Sequence, residues 1–252
     1  MKKYKFTGER KKWGNRTLLR IVATRDFGSV KAGDIGGWIE KESNLSHICD
    51  CWVYDNGAVY GNGRVYDNGV VTDNGRVCGN GEVCGNGRVY GNGRVYGNGR
   101  VTDNGRVTDN GRVSDNSRVY DNGIVSDNGV VYGNGIVSDN GVVCGNGIVS
   151  DNSLVYGNGR VETGTIIGKV SRPYKDIFQH QCKNRLLTAI LTEDNEILYT
   201  IGCQENITKE KFIERIYSER GGLERNPHRQ EYLAIIKCAE LYFNENSKQI
   251  IE

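Results

Sequence analysis

VYGNGRVYGNGRVTDNGRVTDNGRVSDNSR, residues 89–118, decides the fold. Valine opens every group of six, asparagine sits fourth, a very small residue fifth and arginine sixth. The same frame extends in both directions, so that valine returns every six residues from Val53 to Val161, nineteen times, enclosing eighteen hexads. Self-similarity at a short fixed period is the mark of a solenoid, in which each repeat buries its apolar side against the next.

The polarity of the hexad says how it packs. Position five is Gly in every hexad except at Ser117 and Ser153, and position four is Asn from Asn56 through Asn158. Residues two apart on a strand share a face, so the small residue of one hexad and the Val of the next point the same way, inward. Position six and position two (Tyr, Thr, Ser or Cys) then point outward on either side of the Val. Val, Tyr and Thr favour strands, which predicts a strand from position five through position two. The remaining pair, Asp-Asn or Gly-Asn, makes the corner, with Asn expected where the backbone needs positive φ.

This hexad resembles the repeat of left-handed parallel β-helices, in which aliphatic and small residues fill a triangular core. The resemblance implies a mainly β fold, three hexads per coil and the left hand. Eighteen hexads then give six coils, a prism about 29 Å long at the ~4.8 Å spacing of stacked strands. Glycine, 35 residues of the chain, follows that period, so it belongs to structure rather than to a low-complexity tract.

Residues 1–52 read as a β cap and a degenerate first coil. Residues 5–7 and 17–23 predict two strands joined by a basic loop over residues 8–16. Ile39, Leu45 and Cys51 lie six apart, a hexad frame that slips by two residues into Val53. The opening RIVATRDFGSVKAGDIGGWIEKESNLS followed by CWVYDNGAVYGN is similar to the prophage-associated, YdcK-like hexapeptide proteins, described as polymer-forming. That likeness implies a phage or prophage setting and little chemistry. The ten Lys and Arg among the first 31 residues read as a solvated cap surface rather than a nucleic-acid footprint, because whole-chain charge is only +2.

Residues eighteen apart stack on one side of the prism. Position six gives Ala58, Arg76, Arg94, Arg112, Val130 and Ile148 on a first face. It gives Arg64, Glu82, Arg100, Arg118, Ile136 and Leu154 on a second, and Val70, Arg88, Arg106, Ile124, Val142 and Arg160 on a third. A basic middle thus gives way to an apolar collar, Ile124 through Leu154, on all three sides together. The collar is expected to be covered by the C-terminal region or by another copy of the chain, a dimer or trimer. The Arg ladders are candidate oxyanion contacts, although the ten corner Asp residues are expected to neutralise them. Thr or Ser at position two is always followed by Asp, which suggests hydroxyl-to-carboxylate pairing at the corner.

Residues 162–252 lose the repeat and read as a small α/β capping or oligomerisation domain. Residues 186–192 and 196–201 predict a hairpin. Thr208 caps a helix over 209–220 that Gly221-Gly222 stops, and a second helix runs over 228–243. These features resemble the C-terminal modules that accompany the same phage hexapeptide proteins.

Several classes fall away. No apolar run is long enough to span a membrane, and the N-terminus has no signal-peptide core. The eight Cys lack paired zinc spacing, so they are expected to be free thiols in a reducing cytoplasm, with no metal and no cofactor. Hexapeptide-repeat acyltransferases need a histidine base beside a groove. The three histidines here, His47, His180 and His228, all lie outside the hexads, and no long loop interrupts them. His180 and Cys182 could join Cys203, but such spacing is more often structural. The reading is therefore a non-enzymatic, self-associating scaffold of phage or prophage origin in the cytoplasm. A binder of a host nucleotide signal or host protein stands second and an acyltransferase third.

Overall fold

The computed structural model describes residues 2–150, 152–161, 165–166, 169–170, 176–182, 185–192, 194–201, 204–218 and 229–248. The hexads wind into a three-sided parallel β-solenoid. Strands of two residues, a position-six residue and its Val, stack in parallel and in register on each side, Arg88 on Arg106, Arg94 on Arg112, Arg100 on Arg118. The predicted four-residue strands are therefore shorter, but hydrogen bonding still spans positions five to two. Arg94 N–H donates to the Gly111 carbonyl at 2.9 Å and Tyr96 N–H to Val113 at 3.0 Å. All nineteen Val side chains from Val53 to Val161 are buried, 0–1% exposed, and together form one apolar column.

The corner corrects one expectation. The left-handed residue is position three, not Asn. Nine described Asp at that position, Asp55 through Asp139, have φ of 49–56°, and the position-three glycines share the positive φ. This conformation explains the restriction of position three to Asp and Gly, since only Gly and short polar side chains enter it at low cost. The turn closes from Gly93 N–H to the Tyr90 carbonyl, 3.0 Å. Asn is instead the stacking residue: side-chain amides bond coil to coil at 3.0–3.3 Å from Asn62 through Asn80, Asn98, Asn116 and Asn134 to Asn152.

The degenerate segment supplies a seventh coil. Ile39, Leu45 and Val53 occupy its three sides, beneath the six coils that run from Val59 to Val161. Ile39 pairs beside Val59 and Leu45 beside Val65, twenty residues on, whereas Val53 pairs beside Val71, eighteen on. The two extra residues thus fall between Leu45 and Val53, where Cys51 is buried.

At the N-terminal end, β1 (Tyr4–Trp13) and β2 (Arg16–Ala23) pair antiparallel, and β3 (Ile35–Ile39) joins β2 to the first face. The predicted basic loop is therefore mostly strand, and Gly14-Asn15 makes the turn. A register shift between Phe6 and Arg10 surrounds Gly8, whose φ of +98° suits a bulge. Lys3 is fully buried beneath this cap. Its ammonium donates to the carbonyls of Cys51 and Cys49, 2.7 and 3.1 Å, and lies 4.8 Å from the Phe27 ring centre.

At the other end, strands Asp176–Cys182, Arg185–Leu191, Ile197–Ile201 and Gln204–Ile207 form an antiparallel sheet. The expected hairpin is its centre; the flanking strands were not anticipated. Ile190 and Leu198 join the Val column and Ile177 packs against it, so this sheet closes the open end of the core. Behind it lie α1 (Lys209–Tyr217), capped by the Thr208 hydroxyl, and α2 (Arg229–Lys248). The first helix stops at Ser218, and Gly221-Gly222, expected to stop it, lies outside the described residues. No described helix is long and apolar enough to cross a membrane.

Candidate binding surface

Alternation around each buried Val fixes what the solenoid shows outside. Six consecutive hexads place Arg88, Arg94, Arg100, Arg106, Arg112 and Arg118 outward, two per face, and all six are exposed. They form a basic belt two coils tall. The next six hexads place Ile124, Val130, Ile136, Val142, Ile148 and Leu154 at the same positions, all half-buried. Each face therefore repeats one pattern, two arginines and then two aliphatics. The C-terminal sheet plugs the core end and leaves the collar half-exposed.

The expected neutralisation by corner Asp is not what the geometry shows. Arg100 reaches Glu82, Nε to Oε2 3.2 Å, and Arg64 also pairs with Glu82. Arg88, Arg94, Arg106, Arg112 and Arg118 have no carboxylate partner among the described residues. The Asp carboxylates are used inside the corner: where Gly follows in the next coil, Asp accepts its backbone N–H, as from Gly91 to Asp73 at 3.1 Å and Gly157 to Asp139 at 3.1 Å. At those corners the Gly N–H is a local donor that competes with arginine for the carboxylate. The suspected hydroxyl-to-carboxylate bond occurs within one hexad as Ser114 Oγ to Asp115 Oδ2, 3.5 Å, and between coils as Thr72 Oγ1 to Asp55 Oδ2, 2.8 Å. Arg76, the first of the ladder, is occupied differently, its guanidinium 4.5 Å from the Trp13 ring centre.

Two features escaped the sequence reading. Glu82, the single acidic position six, is flanked by Arg64 and Arg100 and accepts from the Tyr66 hydroxyl at 3.1 Å. It lies in a groove with Lys41, Ser43 and Asn62. Burial, then Cys84 and Glu82, raise the Tyr66 phenol well above its ordinary range, so it acts as a donor and not as a base. The signal was available: Glu82 interrupts an otherwise basic or apolar column.

The second is His47, stacked on Tyr4 at 4.2 Å beside the neighbouring groove. Burial holds its imidazole below the usual range, outweighing Glu42. Its Nδ1 accepts the Lys3 backbone N–H at 3.3 Å, which puts the proton on Nε2, a buried atom with no partner. A ring held in that tautomer has no free lone pair with which to take a substrate proton. Among the described residues, no three His, Cys, Asp or Glu gather as a metal site would require. Cys203 and His228 lie outside the described residues, as does the Cys182 side chain.

The fold and this surface define a hexapeptide-repeat β-solenoid carrying a basic belt. No family model matches the chain. It is similar to an uncharacterized acetyltransferase, YdcK, of Escherichia coli strain K12, at 36% identity over 67 residues. The match takes in 23% of this chain and spans about a fifth, 21%, of that relative's length.

Proposed function

We propose that the chain is a non-catalytic binding scaffold whose basic belt receives an anionic protein partner. The observation that carries this reading is the set of five belt arginines without a carboxylate partner among the described residues. A guanidinium left solvated on a rigid ladder keeps its charge for an incoming oxyanion, and little side-chain order remains to be imposed at the backbone. Self-association, a phage or prophage setting and residence in a reducing cytoplasm belong to the same reading.

The test is anisotropy of a labelled oligo-glutamate peptide titrated with the protein at rising salt. Binding should weaken as screening grows. Reversal of Arg88, Arg94, Arg106 and Arg112 to Glu should abolish it while leaving the thermal transition in place. Binding unchanged by reversal would overturn the reading, and a nucleotide that copurifies, seen by mass spectrometry, would shift it to a nucleotide sponge.

A second reading, acetyl transfer, rests on the name of the YdcK relative. His47 is held in the wrong tautomer to serve as its base. Release of free thiol from acetyl-coenzyme A above the buffer rate, in the presence of amine acceptors, would establish it against the scaffold reading.

A further inference from the structure

Position two on the first face alternates in height. Tyr96 and Tyr132 are 36% and 38% exposed, while Ser114 and Ser150, one coil beyond each, are 4% and 2% exposed. On the other two faces the position-two tyrosines, such as Tyr66, Tyr90 and Tyr120, are half-buried and do not stand out. The first face is therefore toothed: ring, dent, ring, dent, at one coil per step.

We propose that this face docks a second copy of the same chain, antiparallel, about a two-fold axis lying along the strand direction between the coil of Arg112 and the coil of Val130. This deepens the scaffold reading by naming one partner. Three consequences of that alignment agree. First, such an axis keeps the position-two rows opposed, so Tyr132 of one copy enters the dent at Ser114 of the second, and Tyr96 the dent at Ser150. Tyr96 and Tyr132 of one copy stand two coils apart, about 9.6 Å at ~4.8 Å per coil. A ring of the second copy between them lies about 4.8 Å from each, within the range of offset-stacked aromatics. The result is a row of four rings, two from each copy.

Second, the position-six rows are opposed as well, so Arg112 meets Val130 and Arg94 meets Ile148 of the second copy. Belt lies on collar, no cation faces a cation, and the arginine stems cover aliphatic surface while their heads reach water at the rim. The equal height of belt and collar, two coils each, is what this pairing needs. Third, an antiparallel two-fold closes after two copies.

An overlap one strand wide and about six coils long makes a small interface, so the dimer is expected to dissociate in the micromolar range. Sedimentation velocity of the full chain from 1 to 200 micromolar is the test, with Tyr132→Ser against Tyr120→Ser on the second face. Wild type and Tyr120→Ser should dimerise alike, and Tyr132→Ser should raise the dissociation constant more than tenfold. A mixture of the single variants Arg112→Cys and Val130→Cys should give disulfide-linked dimers of one with the other under mild oxidation, whereas a mixture of Arg118→Cys and Ile136→Cys should not. A wild-type monomer throughout that range, or a dimer indifferent to Tyr132, overturns the proposal. Either result leaves the oligo-glutamate experiment to judge the scaffold reading separately.

Discussion

At the scale of single residues, the hexad is a set of steric prohibitions. Val107 has no exposure, at the middle of the column. Val107→Asp would bury a carboxylate with no partner, a cost of several kcal/mol. It should open the coils around it, seen as lost amide protection from about Val89 to Val125 in hydrogen exchange while α2 stays protected. Gly93 shows the opposite prohibition. A Cβ there would sit 2.6 Å from the Val107 carbonyl oxygen, backbone that cannot swing aside, so Gly93→Ala should cost about 1–3 kcal/mol by denaturant unfolding. Ser117, at the equivalent place, survives because its hydroxyl donates to the Val131 carbonyl at 3.1 Å, turning the crowding into a bond. The valine and glycine roles were legible from spacing alone. The left-handed position was not: Asn and Asp both tolerate that conformation, and only the backbone shows that the third residue adopts it while the fourth stacks.

At the scale of elements, the cap is latched to the coil by one carboxylate. Glu40, at the end of β3, accepts the Gly61 N–H at 2.6 Å and both its oxygens take Arg16 Nη1, at 2.9 and 2.8 Å. Partial burial raises its pKa, but the Gly61 and Arg16 bonds outweigh that and leave it below the ordinary carboxylate range. A carboxylate depressed in the folded state stabilises above its unfolded pKa, and that contribution fades as pH falls through the folded value. The melting temperature should therefore drop on acidification below about pH 4.3, the ordinary glutamate value. In Glu40→Gln the protein should start lower at neutral pH and fall less steeply. Equal slopes for both proteins would remove Glu40 from the latch. The cap's second strand and the slip into Val53 could be read from sequence because alternation and spacing are local. The extension of β1 through the charged run to Trp13 could not, since lysine and arginine there face solvent from an edge hairpin. In the C-terminal unit the paired centre strands and both helices carried local signals, whereas the outer strands hold their place by pairing.

At the scale of the whole molecule, both ends of the core are closed, by the β1–β2 hairpin at one and the antiparallel sheet at the other. The association proposed above would then run through the sides, and the arginine-and-aliphatic pattern was legible there because position six is set by the period. That five of the belt arginines have no carboxylate partner among the described residues was not, because the period gives the spacing of charges and not the directions their side chains take. The identity of the three sides has one further result. Eighteen residues make a full revolution, so removing residues 89–106 should shorten the rod by one coil and return everything beyond it to its original bearing. Removing six, residues 89–94, should leave each remaining hexad as comfortable as before and turn the C-terminal unit by a third of a revolution against the hairpin. Small-angle scattering with a distance label on each end would read that turn. Length in this chain is thus an angular setting, and a deletion too small to disturb the core can still point the two ends in different directions.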